Sequence, residues 1–223
     1  MKYAIPVILG YLLGTISPAA LFGRVKRVDL RNKGTKNLGA TNTALILGKK
    51  LGFVVMFFDI FKGCLAVIIA KLIFAETAAL SGLIAGASAV IGHMFPFYMK
   101  FKGGKGLAAY GGMVLAYDPV IFLILFLIGI ICMLAFNYCV ALTVSAASLF
   151  PVAVALKSIG SPDLIASTVI AAAISAIFIL RHRSNIIRSF KKQEPTTKFF
   201  LQKLFEKAHS SSPEDEKVTQ EQQ

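Results

Sequence analysis

The sequence predicts an all-α integral membrane protein, a bundle of seven helices of which one is short. The first observation is composition: 56% of the residues are hydrophobic and the mean hydropathy is +0.71. A soluble domain of this size is far less apolar, so the bilayer is expected to be the solvent. The second is that Lys and Arg exceed Asp and Glu by 24 to 11 and are clustered. Basic clusters between apolar runs indicate cytoplasmic loops and exclude a nucleic-acid partner.

Six apolar runs are each long enough to span the membrane, which requires roughly 20 residues for a hydrocarbon core about 30 Å thick. They cover Tyr3 to Phe22, Gly52 to Phe74, Thr77 to Phe97, Pro119 to Phe136, Cys139 to Leu156, and Leu164 to Leu180. The first run lacks a small-residue cleavage pattern, so we expect a retained helix rather than a signal peptide.

Three basic stretches indicate the orientation of these spans. Arg24 to Lys50 holds eight Lys and Arg, Lys100 to Lys105 holds three, and Arg181 to Lys192 holds five. The positive-inside rule places all three in the cytoplasm. Six full spans would put the second and third stretches on opposite sides, so one more crossing is needed. Its candidate is Leu107 to Tyr117, a short helix rich in Gly and Ala that we expect to be buried among its neighbours, with the N-terminus outside and the C-terminus in the cytoplasm.

The first polar motif is DLRNKGTKNLGATN, from Asp29 to Asn42. Its glycines, amides and hydroxyl groups offer many hydrogen-bond donors to an anion beside the membrane. The same composition also suits a plain cytoplasmic turn, and the motif alone does not decide between an anion site and a turn.

The second motif is GHMFPFYMKFKGGKG, from Gly92 to Gly106. Three lysines and three glycines crowd between Lys100 and Gly106 and lead directly into the predicted short helix. Converging backbone N–H groups, lysine charge and a helix N-terminus favour an anion, so we interpret the motif as a phosphate cradle. It does not match the nucleotide P-loop. His93, two helical turns before Lys100, either contacts a ligand or serves in packing and hydrogen bonding.

The third motif is RHRSNIIRSFKKQE, from Arg181 to Glu194. At helical spacing His182, Asn185 and Ser189 share one face, and Arg181, Ser184 and Arg188 share an adjacent face. A basic collar that binds lipid head groups would explain the arginines but not His182 and Asn185.

Several polar residues lie inside the spans. Asp59 and Lys62 are one turn apart in the second span, and we expect them to pair with each other or with loop residues because isolated charge in the membrane is costly. Ser145 and Ser148 either line the bundle or bond to the preceding helical turn. The histidines lack carboxylates at metal-ligand spacing, so no metal or other cofactor is expected.

Together the three motifs resemble the PlsY family, the membrane glycerol 3-phosphate acyltransferases that use acyl phosphate. The resemblance runs from about Gly14 to Glu194 and includes the segment with Asp59, Lys62 and Gly63. It implies a seven-helix bundle in the cell membrane with a cytoplasm-facing site. The implied reaction transfers an acyl chain from acyl phosphate to glycerol 3-phosphate, giving lysophosphatidic acid and phosphate. The implied partners are these two substrates and membrane lipids.

The resemblance also implies roles for individual residues. The expected catalytic residues are His182, Asn185 and Lys105. The expected substrate-binding residues are Thr35, Lys36, Asn37, Asn42, His93, Lys102, Gly103, Gly104, Ser145 and Arg188.

The sequence departs from the family pattern at several positions. Lys36 stands where the family usually has glycine, and Leu45 and Leu142 stand where it usually has arginine. Lys192 and Gln193 replace the Gly-Thr that usually precedes the final glutamate. Two alternatives are therefore kept: a diverged member with another acyl acceptor, and a non-enzymatic small membrane transporter. None of the three histidines has the aspartate of an HxxxxD motif, which argues against a donor of the acyl-CoA or acyl-carrier-protein type.

The domain organisation follows from a change in character near Pro195. Residues 1–194 are expected to form the membrane acyltransferase domain. Residues 195–223 are expected to form a cytoplasmic tail, amphipathic from Thr197 to Lys207 and disordered from Ser210 to Gln223.

Overall fold

The computed structural model describes residues 3–198, and within that range every regular element is a helix. The α-helices are α1 (Ala4–Thr15), α2 (Pro18–Val25), α3 (Ala40–Leu47), α4 (Lys49–Ile73), α5 (Ala78–Met94), α6 (Leu107–Tyr117), α7 (Pro119–Phe136), α8 (Cys139–Lys157), α9 (Leu164–Arg181) and α10 (Arg183–Phe190). Short 3₁₀ turns cover Ala75–Thr77 and Phe97–Met99. In this range six segments are long and apolar enough to cross a membrane, and each matches one of the six predicted apolar runs.

The first apolar run is broken into α1 and α2, which the sequence analysis treated as one helix. Pro18 has no backbone N–H and disfavours helical geometry in the residue before it, so the chain turns at Ile16 and Ser17. Ser17 caps α2 by accepting a hydrogen bond from the Ala20 N–H, 3.3 Å away. Lys62 Nζ donates to the freed Ile16 carbonyl at 2.7 Å. The break is thus stabilised by a lysine from another span.

The predicted pairing of Asp59 with Lys62 is confirmed. Lys62 Nζ lies 2.7 Å from Asp59 Oδ1, and both side chains are buried. His93 Nδ1 lies 3.3 Å from the same carboxylate oxygen. These three residues form a buried polar cluster that joins the α1–α2 break to the end of α5.

Helix α5 lies at the centre of the bundle, where thirteen of its seventeen residues are buried. It contacts α1, α4, α6 and α9. Glycine makes the approach of α1 possible: a Cβ atom added at Gly10 or Gly14 would lie 2.0 Å from the carbonyl oxygen of Ala85 or Ala89, respectively. Small residues at such crossings bring helix backbones into direct contact in membrane proteins.

The short helix α6 has the predicted bounds and the predicted burial. It packs against α4 through glycines, because a Cβ at Gly112 would meet the Ile60 carbonyl oxygen at 2.0 Å and one at Gly63 would meet the Ala109 carbonyl oxygen at 2.3 Å. At its C-terminal end Lys71 Nζ donates to the carbonyls of Ala116 and Tyr117, at 2.7 and 2.9 Å. These bonds satisfy backbone groups that the end of a short helix leaves free.

Two short helices were not predicted as separate elements. Helix α3 lies in the first basic stretch and packs against α4, and α10 follows α9 after a single residue, His182. After α10 the chain returns towards the α7–α8 turn, where the Thr197 N–H donates to the Asn137 carbonyl at 3.0 Å. The predicted amphipathic and disordered parts of the tail beyond Lys198 lie outside the described residues.

Candidate active site

The three basic stretches converge on a cleft of about 740 Å³ at one end of the bundle. The loop before α3, the loop before α6, and the α9–α10 junction each contribute a wall. The lining residues are Thr35, Lys36, Asn37, Phe95, Gly103, Lys105, Ile177, Leu180, Arg181, Arg183, Ser184 and Arg188. Six of the thirteen predicted site residues therefore line the cleft, namely Thr35, Lys36, Asn37, Gly103, Lys105 and Arg188.

The first wall is shaped by a buried asparagine. The Asn42 Oδ1 atom accepts from the Thr35 N–H at 2.7 Å, and its Nδ2 donates to the carbonyls of Leu30 and Lys33 at 2.8 and 3.1 Å. The prediction that Asn42 binds substrate would place this side chain at the cleft, but Asn42 does not line it. It holds the loop that presents Thr35, Lys36 and Asn37.

Lys36 has a φ of 56°, in the left-handed region that favours glycine. The loop thus keeps a backbone conformation suited to glycine while placing a lysine at the cleft. This conformation explains why glycine suits the position, and Lys36 adopts it at a cost in backbone strain.

The second wall departs from the predicted phosphate cradle. The N–H groups of Gly103 and Gly104 do not converge on the cleft, because they donate to the carbonyls of Met94 and His93 at 3.1 and 3.2 Å. The glycines are required by close packing: an added Cβ would lie 2.1 Å from the His93 carbonyl oxygen at Gly103, and 2.2 Å from His93 Nε2 at Gly104. These two backbone N–H groups are therefore not available to an anion.

Arg181, the last residue of α9, holds the carbonyl side of this glycine loop. Its Nη2 donates to the carbonyls of Gly103 and Gly104 at 3.3 and 3.0 Å. Its guanidinium lies over the Phe95 ring, 5.0 Å from the ring centroid, which adds a cation–π contact.

A chain of polar contacts beside the cleft links Lys105 to Arg188. The Lys105 amine donates to Asn185 Oδ1, Asn185 Nδ2 donates to Glu194 Oε1 at 2.5 Å, and Arg188 Nε donates to Glu194 Oε2 at 2.7 Å. Burial lowers the pKa of the Lys105 amine, and the Arg188 charge lowers it further. An anion placed beside Lys105 would oppose both effects.

His182 is buried at the α9–α10 junction and does not line the cleft. Its Nδ1 lies 2.9 Å from the Phe178 carbonyl oxygen, and its ring packs 4.6 Å from the Phe178 ring. Burial lowers the pKa of His182 to about 4, so the imidazole is neutral at pH 7. A neutral ring that donates from Nδ1 keeps Nε2 as its proton acceptor.

Four other predicted residues lie away from the cleft lining. His93 is buried against Asp59, which corresponds to the packing and hydrogen-bonding alternative. Lys102 is exposed. Gly104 is buried against His93 and Leu38. Ser145 donates to the Leu142 carbonyl of its own helix at 3.2 Å, the local bond that membrane serines commonly make.

One face of the third motif lies towards the cleft in the structure. The lining residues are Arg181, Ser184 and Arg188, together with Arg183, whereas the predicted face of His182 and Asn185 lies beside them. Arg181, Arg183, Ser184 and Glu194 were not proposed as site residues, although all four belong to the motif. Arg181 and Ser184 share a helical face with Arg188, and a collar that binds lipid head groups was the alternative weighed for the arginines of this motif.

Spans, buried intramembrane charge and a cleft lined by cations define a polytopic membrane protein. The glycerol-3-phosphate acyltransferase family model matches residues 4–192. The chain belongs to this family, and it is an integral membrane acyltransferase.

Similar proteins and solved structures agree with this family assignment. The glycerol-3-phosphate acyltransferase of Geobacillus kaustophilus is 38% identical over 197 residues, covering 88% of this chain and 96% of the relative. The glycerol-3-phosphate acyltransferase of Staphylococcus aureus strain Newman is 35% identical over 206 residues, covering 89% of this chain and 100% of the relative. The crystal structure of PlsY in its glycerol 3-phosphate form has a TM-score of 0.73 at 33% identity, covering 88% of this chain and 96% of that one. The crystal structure of PlsY in its lysophosphatidic acid form has a TM-score of 0.72 at 31% identity, covering 90% of this chain and 99% of that one.

Proposed function

We propose that the protein transfers an acyl chain from acyl phosphate to glycerol 3-phosphate, with the cleft open to the cytoplasm. The observation that carries this proposal is the charge of the cleft. Five cations line it, Lys36, Lys105, Arg181, Arg183 and Arg188, and no carboxylate is among its described lining residues. Both proposed substrates carry phosphate, and a cationic cleft holds them against their mutual repulsion.

The apolar part of the lining suits the acyl chain. Phe95, Ile177 and Leu180 lie on the same cleft as the cations, so a phosphate head and a hydrocarbon chain can bind side by side. An acyl phosphate lies in the membrane with its phosphate at the surface, and glycerol 3-phosphate arrives from water. A cleft at the end of a helix bundle, between the two phases, fits that pair.

In the proposed reaction the sn-1 hydroxyl oxygen attacks the acyl carbonyl carbon. A carbon–oxygen bond forms to the glycerol, the bond from the acyl carbon to the phosphate oxygen breaks, and inorganic phosphate leaves with the hydroxyl proton. Lys105 would neutralise charge on the departing phosphate. Acyl phosphate is a mixed anhydride with a good leaving group, so alignment of the substrates supplies much of the rate. His182 and Asn185 remain proposed acceptor-side residues, acting from beside the lining.

Cytoplasmic orientation is supported by the basic loops. The cleft walls are built from the same three stretches in which Lys and Arg cluster, and such loops stay in the cytoplasm. The proposed product, lysophosphatidic acid, would place the enzyme in phospholipid biosynthesis at the cell membrane.

The test is phosphate release by the purified full-length protein in lipid. Acyl phosphate is supplied with and without glycerol 3-phosphate, and acyl-CoA replaces acyl phosphate as the donor control. We expect release that requires both acyl phosphate and glycerol 3-phosphate. Turnover with acyl-CoA, or release that ignores glycerol 3-phosphate, would reject the donor or the acceptor, respectively.

A further inference from the structure

The guanidinium of Arg181 is fixed from two directions. The carbonyls of Gly103 and Gly104 hold Nη2, and the Phe95 ring supports the guanidinium plane. These contacts join the end of α9 to the loop before α6. A side chain held this way has already lost the rotamer freedom that binding would otherwise remove.

The charge of Arg181 has no acid partner within residues 3–198. Arg188 differs, because Glu194 lies 2.7 Å from its Nε. The Nε of Arg181 is buried and makes no hydrogen bond with the described residues. An arginine has five N–H donors, and the two glycine carbonyls occupy only Nη2. A partly desolvated cation with unused donors, lining a cleft, is stabilised by an anion.

We propose that Arg181 binds a phosphoryl group in the cleft, as the fixed anchor of one of the two phosphate-bearing substrates. The inference deepens the proposed function and rests on it for the identity of the substrate. The glycine loop then has a defined part in the site: its carbonyls orient a guanidinium, which in turn presents donors to phosphate. In this arrangement the Arg181 side chain binds the phosphate, and the backbone carbonyls of Gly103 and Gly104 orient that side chain.

Lysine cannot replace arginine in this arrangement. A guanidinium is a planar fork that can bond to two carbonyls and a phosphate at once, whereas an ammonium is a point charge with three donors. The fork geometry therefore carries the proposal, and Arg181→Lys separates it from a simple need for positive charge.

The experiment titrates inorganic phosphate into the full-length protein in lipid nanodiscs and follows heat of binding. The variants are Arg181→Gln and Arg181→Lys, with Lys50→Gln as the matched loss of an exposed charge outside the cleft. Arg181→Gln should raise the phosphate Kd by roughly 10- to 100-fold, the loss expected for a charge-assisted hydrogen bond. Arg181→Lys should fall between the wild type and Arg181→Gln, and Lys50→Gln should match the wild type.

Steady-state kinetics then identify the substrate that Arg181 holds. A raised KM in Arg181→Lys for glycerol 3-phosphate alone assigns the acceptor, and a raised KM for acyl phosphate alone assigns the donor. Wild-type phosphate affinity in Arg181→Lys, or no phosphate binding by the wild-type protein, would overturn the inference. Arg181-dependent phosphate binding in a protein that does not turn over would support the inference and reject the proposed function.

Discussion

At the scale of single residues, Lys105 is the lysine of the second motif that the fold brings into the cleft. It lines the cavity and donates to Asn185, whereas Lys102 is exposed and does not line it. Lys105→Ala should lower kcat by about 100-fold or more, the loss typical of a removed electrostatic stabiliser, and Lys102→Ala should change it little. Phosphate-release kinetics on both variants make the comparison. Equal losses would show that the loop needs only its total charge.

His182 provides a pH test of the structure. Its pKa falls from 6.5 to about 4 because the ring is buried, so the unfolded chain binds its proton more readily than the folded one. The free energy of unfolding should therefore fall as the pH drops from about 6.5 to about 4, with a total loss of about 3 kcal/mol from this group.

The measurement is thermal unfolding of the wild type and His182→Asn across that range. The wild type should lose more stability on acidification than the variant, whose amide does not titrate. Parallel curves would mean that His182 is not buried in its neutral form.

The residue scale also shows the limit of reading the site from sequence. The clustering of Lys and Arg was sufficient to predict that the three motifs lie at one end of the bundle. It could not show that the Gly103 and Gly104 N–H groups bond to α5, because a flexible glycine loop has no periodicity that fixes its hydrogen bonds. The rotation of the third motif was also not determined, since Arg181 lies on α9 and the other motif residues follow a break at His182.

At the scale of elements, α6 tests whether glycine is required for close helix packing. A methyl group at Gly112 would lie 2.0 Å from the Ile60 carbonyl oxygen, whereas one at Gly111 meets only the Phe122 ring at 3.9 Å. Gly112→Ala should lower the stability by about 1–3 kcal/mol or more through overpacking. Gly111→Ala should be neutral or slightly stabilising, because alanine favours the helix.

Unfolding of both variants in the same detergent measures the difference. If Gly112→Ala were as stable as Gly111→Ala, α4 and α6 would have to lie farther apart than described. The two variants lie at neighbouring positions of α6, so their effects on helix propensity and on membrane insertion are matched.

The long elements were the most predictable part of the fold. Length and hydropathy located each span, and the need to place two basic stretches on one side located α6. The α1–α2 break was missed although Ser17 and Pro18 form a helix-start signal. An uninterrupted apolar run outweighed that signal, because the sequence does not show that Lys62 can satisfy the exposed Ile16 carbonyl.

At the scale of the whole molecule, charge predicts the orientation. The loop after α8 contains no lysine or arginine between Ser158 and Asp163, whereas α4 begins with Lys49 and Lys50. The positive-inside rule predicts that the loop after α8 lies outside and that the start of α4 lies in the cytoplasm.

Single cysteines introduced into a cysteine-free variant test this orientation. Ile159→Cys, at a position that is 70% exposed, should react with a membrane-impermeant maleimide in intact cells. Lys50→Cys should react only after the membrane is opened. The reverse pattern would place the cleft outside the cell.

The hydrogen bond from Lys62 to the Ile16 carbonyl has a consequence for the insertion of the protein into the membrane. The two residues are 46 positions apart, so the ribosome finishes the first span well before the lysine that completes it exists. Until then the interrupted backbone near Ser17 must be shielded from lipid by water or by the insertion machinery, since hydrocarbon offers it no donor. We therefore expect the second span to arrive before the first is released into the bilayer.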